Sequence, residues 1–102
     1  MKYIYLIQSL ENSYYKIGVS KHPQKRLKEN QTGNPSPTKL IDTYQSEFAN
    51  KIERTLQRRY AHAKKEGEWF DLSISIEINF KKECKQIEEN LLLLKKSGNV
   101  FI

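Results

Sequence analysis

The sequence predicts an α+β fold: a small, mostly antiparallel, three-stranded sheet flanked by helices, with one more helix at the C-terminal end. Three observations carry this reading. Two segments rich in Tyr, Ile and Val, Lys2 to Gln8 and Ser13 to Val19, enclose a polar Ser9-Leu10-Glu11-Asn12 stretch and form a hairpin pattern. A third β-branched and aromatic run, Thr38 to Tyr44, follows the breaker cluster Asn34-Pro35-Ser36-Pro37. Two later segments carry apolar residues at helical spacing.

With Gln8 and Ser13 closing the hairpin, Tyr5 is expected opposite Lys16, and Ile4 and Leu6 opposite Ile17 and Tyr15 on the other face. One face then belongs to the core, while the other carries Tyr3, Tyr5, Lys16 and Gly18. His22-Pro23 opens a helix, because Pro tolerates the first helical position, and Gln24 to Gln31 continues it toward Gly33. Arg26 and Asn30 share one of its faces.

From Phe48 to Ala63, the apolar residues Phe48, Ala49, Ile52, Leu56, Tyr60 and Ala63 repeat with helical period and leave Lys51, Arg54, Arg58 and Arg59 toward solvent. Gly67 breaks that helix, and Trp69-Phe70 supplies an aromatic anchor. Ser73 or Ser75 is placed to cap a last helix running to about Lys96, with Ser97-Gly98 as its stop. Phe80, Cys84, Ile87, Leu91 and Leu94 form its apolar stripe. The Leu91 to Leu94 run and the Val100-Phe101-Ile102 tail exceed what one helix face needs, so this end is expected to pack on the core, add a strand or contact a homodimer or targeting partner.

A chain of 102 residues suits one core. With 29% charged and 37% hydrophobic residues it has the composition of a folded domain. Its net charge of +6 points toward a polyanion, because lysine and arginine near phosphates release condensed counterions. The single cysteine, Cys84, excludes an intrachain disulfide and, with only His22 and His62, a Cys/His metal cluster; it reads as a buried thiol. The start of the chain runs directly into a strand pattern, so a cytoplasmic protein with no membrane partner is expected.

Tyr3-Ile4-Tyr5, then Tyr15-Lys16-Ile17-Gly18, then Arg26 eight residues past the glycine and Glu53 in a later helix, together resemble the motif order of the GIY-YIG nuclease superfamily. The Tyr15 to Ser20 and Pro23 to Leu27 segments, Gln31-Thr32-Gly33-Asn34-Pro35 and Glu68-Trp69-Phe70 are most similar to its short viral and bacterial branch, the meiotically up-regulated gene 113-like and phage-type domains. The likeness covers about residues 2 to 72. It implies a catalytic unit over residues 1–72, with 73–102 as a helix and tail packed on it.

That resemblance implies a metal-dependent endonuclease hydrolysing phosphodiesters of nucleic acid, DNA rather than RNA. Tyr5 takes the place of the tyrosine that orients or deprotonates the attacking water. A phenol titrates near pH 10, so the role calls for a cation beside it. Lys16 stands where the family has its second tyrosine and is able to supply that cation, while Tyr15 points to the opposite face. Arg26 corresponds to the helix arginine whose planar fork holds phosphate oxygens. Glu53 matches the metal-binding glutamate, and a lone carboxylate with otherwise aqueous coordination suits Mg²⁺, or Mn²⁺ in its place.

Without the motif, Tyr5 reads as an aromatic cross-strand filler, Lys16 and Arg26 as solvated cations and Glu53 as a salt-bridged helix residue. Asn30 stands where the family often has His or Tyr and lacks a titratable group. His22, Tyr60 and His62 are candidate substitutes, and Glu68 is expected near the site. Lys21, Lys25, Lys51, Arg54 and Arg58 are the candidate nucleic-acid contacts. The Lys16 and Asn30 departures keep two alternatives open, a catalytically silent nucleic-acid-binding module and a protein-interaction module.

Overall fold

In the computed structural model, residues 1–33 and 37–98 are described, apart from the side chains at positions 30, 32 and 33. The elements run β1 (Lys2–Ser9), β2 (Tyr15–Ser20), α1 (Pro23–Gly33), β3 (Thr38–Ser46), α2 (Ala49–Arg59), a 3₁₀ turn (Ala61–Ala63), β4 (Trp69–Phe70) and α3 (Ser75–Lys96). Strand order is β3-β1-β2-β4, with every pairing antiparallel.

The sheet thus has four strands where the sequence pattern predicts three. Trp69 pairs with Lys16 and Phe70 with Tyr15. Two residues are too short to show alternation, and the tight turn that presents them depends on Gly67 at φ +60.

The hairpin register also differs from expectation. Gln8 faces Tyr15, Leu6 faces Ile17 and Tyr5 faces Gly18, a slip of two residues. Its cause is the longer loop: Ser9 N–H donates to the Tyr14 carbonyl, Ser13 N–H donates to the Ser9 carbonyl, and Ser13 takes φ 65. A slip of two preserves which face each side chain occupies.

Ile4, Leu6, Tyr15 and Ile17 therefore project to one face, where they meet Phe48, Ala49, Ile52 and Leu56 around α2 and Ile76, Phe80, Cys84 and Ile87 of α3. Tyr5 and Ile7 are buried on the other face. There α1 packs against β3, β1 and β2, its start bordering Tyr3 and Thr43. Among the described residues no helix is long and apolar enough to cross a membrane.

Helix boundaries follow local chemistry. Ser20 Oγ accepts from His22 N–H, and the His22 carbonyl receives the first helical bond of α1 from Arg26 N–H. The second helix stops at Arg59 rather than continuing through Ala63, because Tyr60 leaves helical geometry and the chain tightens into the 3₁₀ turn. Ser73 begins α3: its Oγ accepts from Ser75 N–H and its carbonyl from Ile76 N–H. Gly98 at φ +85 ends it. Leu91 and Leu92 pack against the core while Leu93 and Leu94 remain exposed, so the predicted stripe stops one turn early. The Val100-Phe101-Ile102 tail lies outside the described residues.

Three tyrosines fasten α3. Tyr15 Oη donates to Glu77, Tyr44 Oη to Glu88 and Tyr60 Oη to Glu83, which also pairs with Arg59. Burial, then the adjacent carboxylate, pushes the Tyr15 and Tyr44 phenols up to about 12 and raises Tyr60 likewise. Cys84 is a buried thiol, as expected, pushed up to about 12 by burial and by nearby carboxylates.

Two consequences are measurable. Tyr15→Phe removes the bond to Glu77 and should cost about 1–2 kcal/mol in urea unfolding at pH 7. Because the folded phenol titrates above its unfolded value, this contribution is present below pH 10 and disappears as pH rises toward 12. At Gly18, a Cβ would collide with Cζ and Oη of Tyr5. Gly18→Ala should therefore destabilise by about 1–3 kcal/mol, and a double-mutant cycle should show that penalty shrinking when Tyr5 is also truncated to Ala.

Candidate functional site

The face carrying Tyr5 is shaped by the absent side chain at Gly18. The ring lies across that glycine, with Thr43 opposite on β3. Tyr5 is only 3% exposed, and its hydroxyl forms no hydrogen bond among the described residues. Tyr3, half-buried, follows on the same face toward the start of α1.

Lys16 is not the cross-strand neighbour of Tyr5. It faces Ile7, one diagonal step from the phenol, and its ammonium pairs with Glu68 at 2.9 Å. The Lys16 side chain is 16% exposed and that of Glu68 69%. The pair is thus half in water and serves orientation more than stability. The expected cation beside the phenol is replaced by this ion pair, because β4 brings Trp69 opposite Lys16 and the preceding Glu68 with it.

Glu68 is the point where the charges converge. The bond and charge of Lys16 hold its carboxyl below the usual range, with smaller contributions from Arg26 and Lys64. Arg26 is itself exposed on α1 and lies 3.6 Å from Glu29, one turn on. The Arg26 guanidinium is therefore within electrostatic reach of the Lys16–Glu68 pair.

Glu53 joins from the sheet's other side. It sits one turn before Gln57, whose amide donates to the Ile17 carbonyl of β2 at 3.4 Å, so α2 runs along that strand's edge. Burial raises the Glu53 carboxyl above its ordinary value and the negative charge of Glu68 raises it further, against lowering by Arg54 and Lys2. The two carboxylates therefore repel each other, Glu53 from a partly buried position and Glu68 from a mostly exposed one. Among the described residues no group of three or more acidic, His or Cys side chains is placed to hold a metal ion.

Other candidates divide by location. Tyr15 is in the core and Tyr60 is bonded to α3, so neither hydroxyl reaches the face that carries Tyr5. His22 borders a shallow cavity of about 580 Å³ with Tyr3, Lys21, Lys25 and Thr43. His62 is exposed on the 3₁₀ turn. Asn30 lies on α1, and its side chain is outside the described residues.

Lys51, Arg54 and Arg58 line a groove of about 770 Å³ that also includes Lys64 and Glu68. Lys64 and Lys2, both felt by the site carboxylates, escape a motif reading. For Lys64 the signal was Glu66-Gly67 between Lys65 and Trp69, a turn signature that folds Lys64 back against Phe70.

No curated protein and no solved structure matches the chain. A family model does match it, over residues 2–91: the T5orf172 domain. The match spans β1 through most of α3, and with it every element that contributes to the site. This chain therefore belongs to the T5orf172 domain family, a family associated with nuclease-like function.

Proposed function

We propose that this protein is a GIY-YIG-type endonuclease, dependent on a divalent metal, that hydrolyses phosphodiesters of nucleic acid and of DNA in particular. The observation that carries the proposal is the sheet face that bears Tyr5, bordered by α1 and β4. Tyr5 lies over Gly18 with a hydroxyl that has no partner among the described residues, and Lys16, Arg26 and Glu53 are each coupled electrostatically to Glu68 at its border.

Hydrolysis needs a positioned water, countercharge for the phosphorane-like transition state and help for the departing oxygen. Tyr5 Oη orients the water by accepting its hydrogen bond. Arg26 offers two parallel N–H donors to nonbridging oxygens. Lys16 adds a second cation, tethered by Glu68 until phosphate competes for it. Glu53, with Glu68 beside it, would hold Mg²⁺ or Mn²⁺, which when bound supplies Lewis-acid stabilisation of charge on the phosphate and the leaving oxygen. Lys21, Lys25, Lys51, Arg54 and Arg58 steer the polyanion.

A second reading is favoured by the Lys16–Glu68 pair itself. If Glu68 keeps Lys16 neutralised, the face binds phosphate without turnover, as a silent nucleic-acid-binding module. A protein-interaction module, the remaining alternative, binds without the salt dependence that phosphate contacts impose.

Supercoiled plasmid separates these readings. The proposal expects Mg²⁺-dependent nicking, abolished by chelator and reduced on the order of 10²–10³-fold by Glu53→Ala or Arg26→Ala in proteins that still fold and bind. Binding without nicking under either metal would leave the silent module. The Glu53 carboxyl also fixes a pH dependence. Its folded value is raised, so ionisation there costs stability as pH climbs above the unfolded value near 4.5. Glu53→Gln should therefore unfold at a higher temperature than the parent at pH 7, an advantage that vanishes below about pH 4.5, while metal-dependent cleavage by the parent declines as acid protonates Glu53.

A further inference from the structure

The groove across α2 combines two surfaces seldom found together. Arg54 and Arg58 form no ion pair among the described residues, unlike Arg59 beside them, and Lys64 extends the positive rim. The same groove is lined by Leu91 and Leu94 of α3 and by Phe70 of β4. Leu94 is 43% exposed and its neighbour Leu93 67%, apolar area left in water beside cations. The groove's lining also includes Glu68, the residue bound to Lys16, so it borders the candidate site.

Duplex nucleic acid has little use for such a wall. Its base faces are stacked inside, and it offers phosphates, sugars and groove edges. An unpaired strand offers phosphates to the cations and bare base faces to apolar side chains, and burying those faces is favourable whatever the sequence. A rim that is only basic would take both forms alike.

We infer that this groove holds an unpaired strand of nucleic acid, phosphates toward Arg54, Arg58 and Lys64 and bases against Leu91 and Leu94, and leads it to the Tyr5 face. The substrate of the proposed nuclease is then a single strand, or a duplex with a frayed or displaced strand. This inference rests on the nuclease reading for its functional meaning, but its test does not depend on turnover.

The test is binding of one short labelled oligonucleotide, free or annealed to its complement, to the full chain in EDTA at about 50 mM salt. The single strand should bind at least about five-fold more tightly than the duplex. Leu94→Asn, at an exposed position, should weaken the single strand roughly three- to ten-fold and leave the duplex unchanged. Arg58→Ala should weaken both and flatten their salt dependence. Equal or tighter duplex binding overturns the inference, as does a Leu94 variant that weakens both forms alike. It is also overturned if the free protein sediments as a dimer that Leu94→Asn dissolves, since a second copy then covers the apolar wall. Nicking without strand preference removes the groove assignment and leaves the nuclease reading; strand preference without nicking does the reverse.

Discussion

The strand β1 has no free edge: β3 pairs along one side and β2 along the other, so its peptide groups are committed to two ladders. Its side chains leave alternately to two covered faces. Ile4 and Leu6 enter the cluster under α2 and α3, while Tyr5 and Ile7 enter the layer beneath α1. Displacing β1 by one residue would put a phenol among isoleucines and leave the layer beneath α1 without Tyr5. The same alternation therefore fixes both the core and the candidate chemistry. Gly18 supports it from the neighbouring strand, since no larger residue leaves room for the ring.

On that frame, the charges are arranged by contact rather than by depth. Glu68 is mostly exposed, yet Lys16, Arg26 and Lys64 all lower its proton affinity and it in turn raises that of Glu53. A carboxylate in such a place couples groups drawn from β2, α1, α2 and the turn before β4. Each coupling is weak in water, so the arrangement holds geometry without locking it. Under the proposed reading, an arriving phosphate or cation takes over partners already in position.

Periodicity made much of this legible in the sequence. The strands β1, β2 and β3 and the stripe Phe80, Cys84, Ile87 repeat often enough to declare both type and face. The hairpin register was not legible, because the loop closes through backbone bonds and a positive φ at Ser13 that polar composition does not specify. Yet the slip is even, and so Tyr5, Lys16 and Gly18 stay on the predicted face. The strand β4 was hidden by its two-residue length. With it went the partner of Lys16, and so the place of Glu68 at the centre of the charges; Lys64 was hidden the same way. Tyr5, Arg26 and Glu53 came from family resemblance, since spacing alone says nothing of which distant residues a fold brings together.

Tyrosine use across the fold separates support from chemistry. Tyr15, Tyr44 and Tyr60 each donate to a glutamate of α3, and each is held in its neutral form well above neutral pH. Their hydroxyls are spent on fastening a helix. Tyr5 is as deeply set as Tyr15, yet no described residue takes its hydroxyl. Among the described residues Thr38 Oγ1 is the one buried side-chain polar atom without a hydrogen-bond partner, so the Tyr5 hydroxyl keeps contact with solvent. Of the six tyrosines, these three hold α3 through a glutamate, while the hydroxyls of Tyr3, Tyr5 and Tyr14 have no hydrogen bond among the described residues. Under the proposed reading, the Tyr5 hydroxyl exchanges solvent for the water that attacks the phosphodiester.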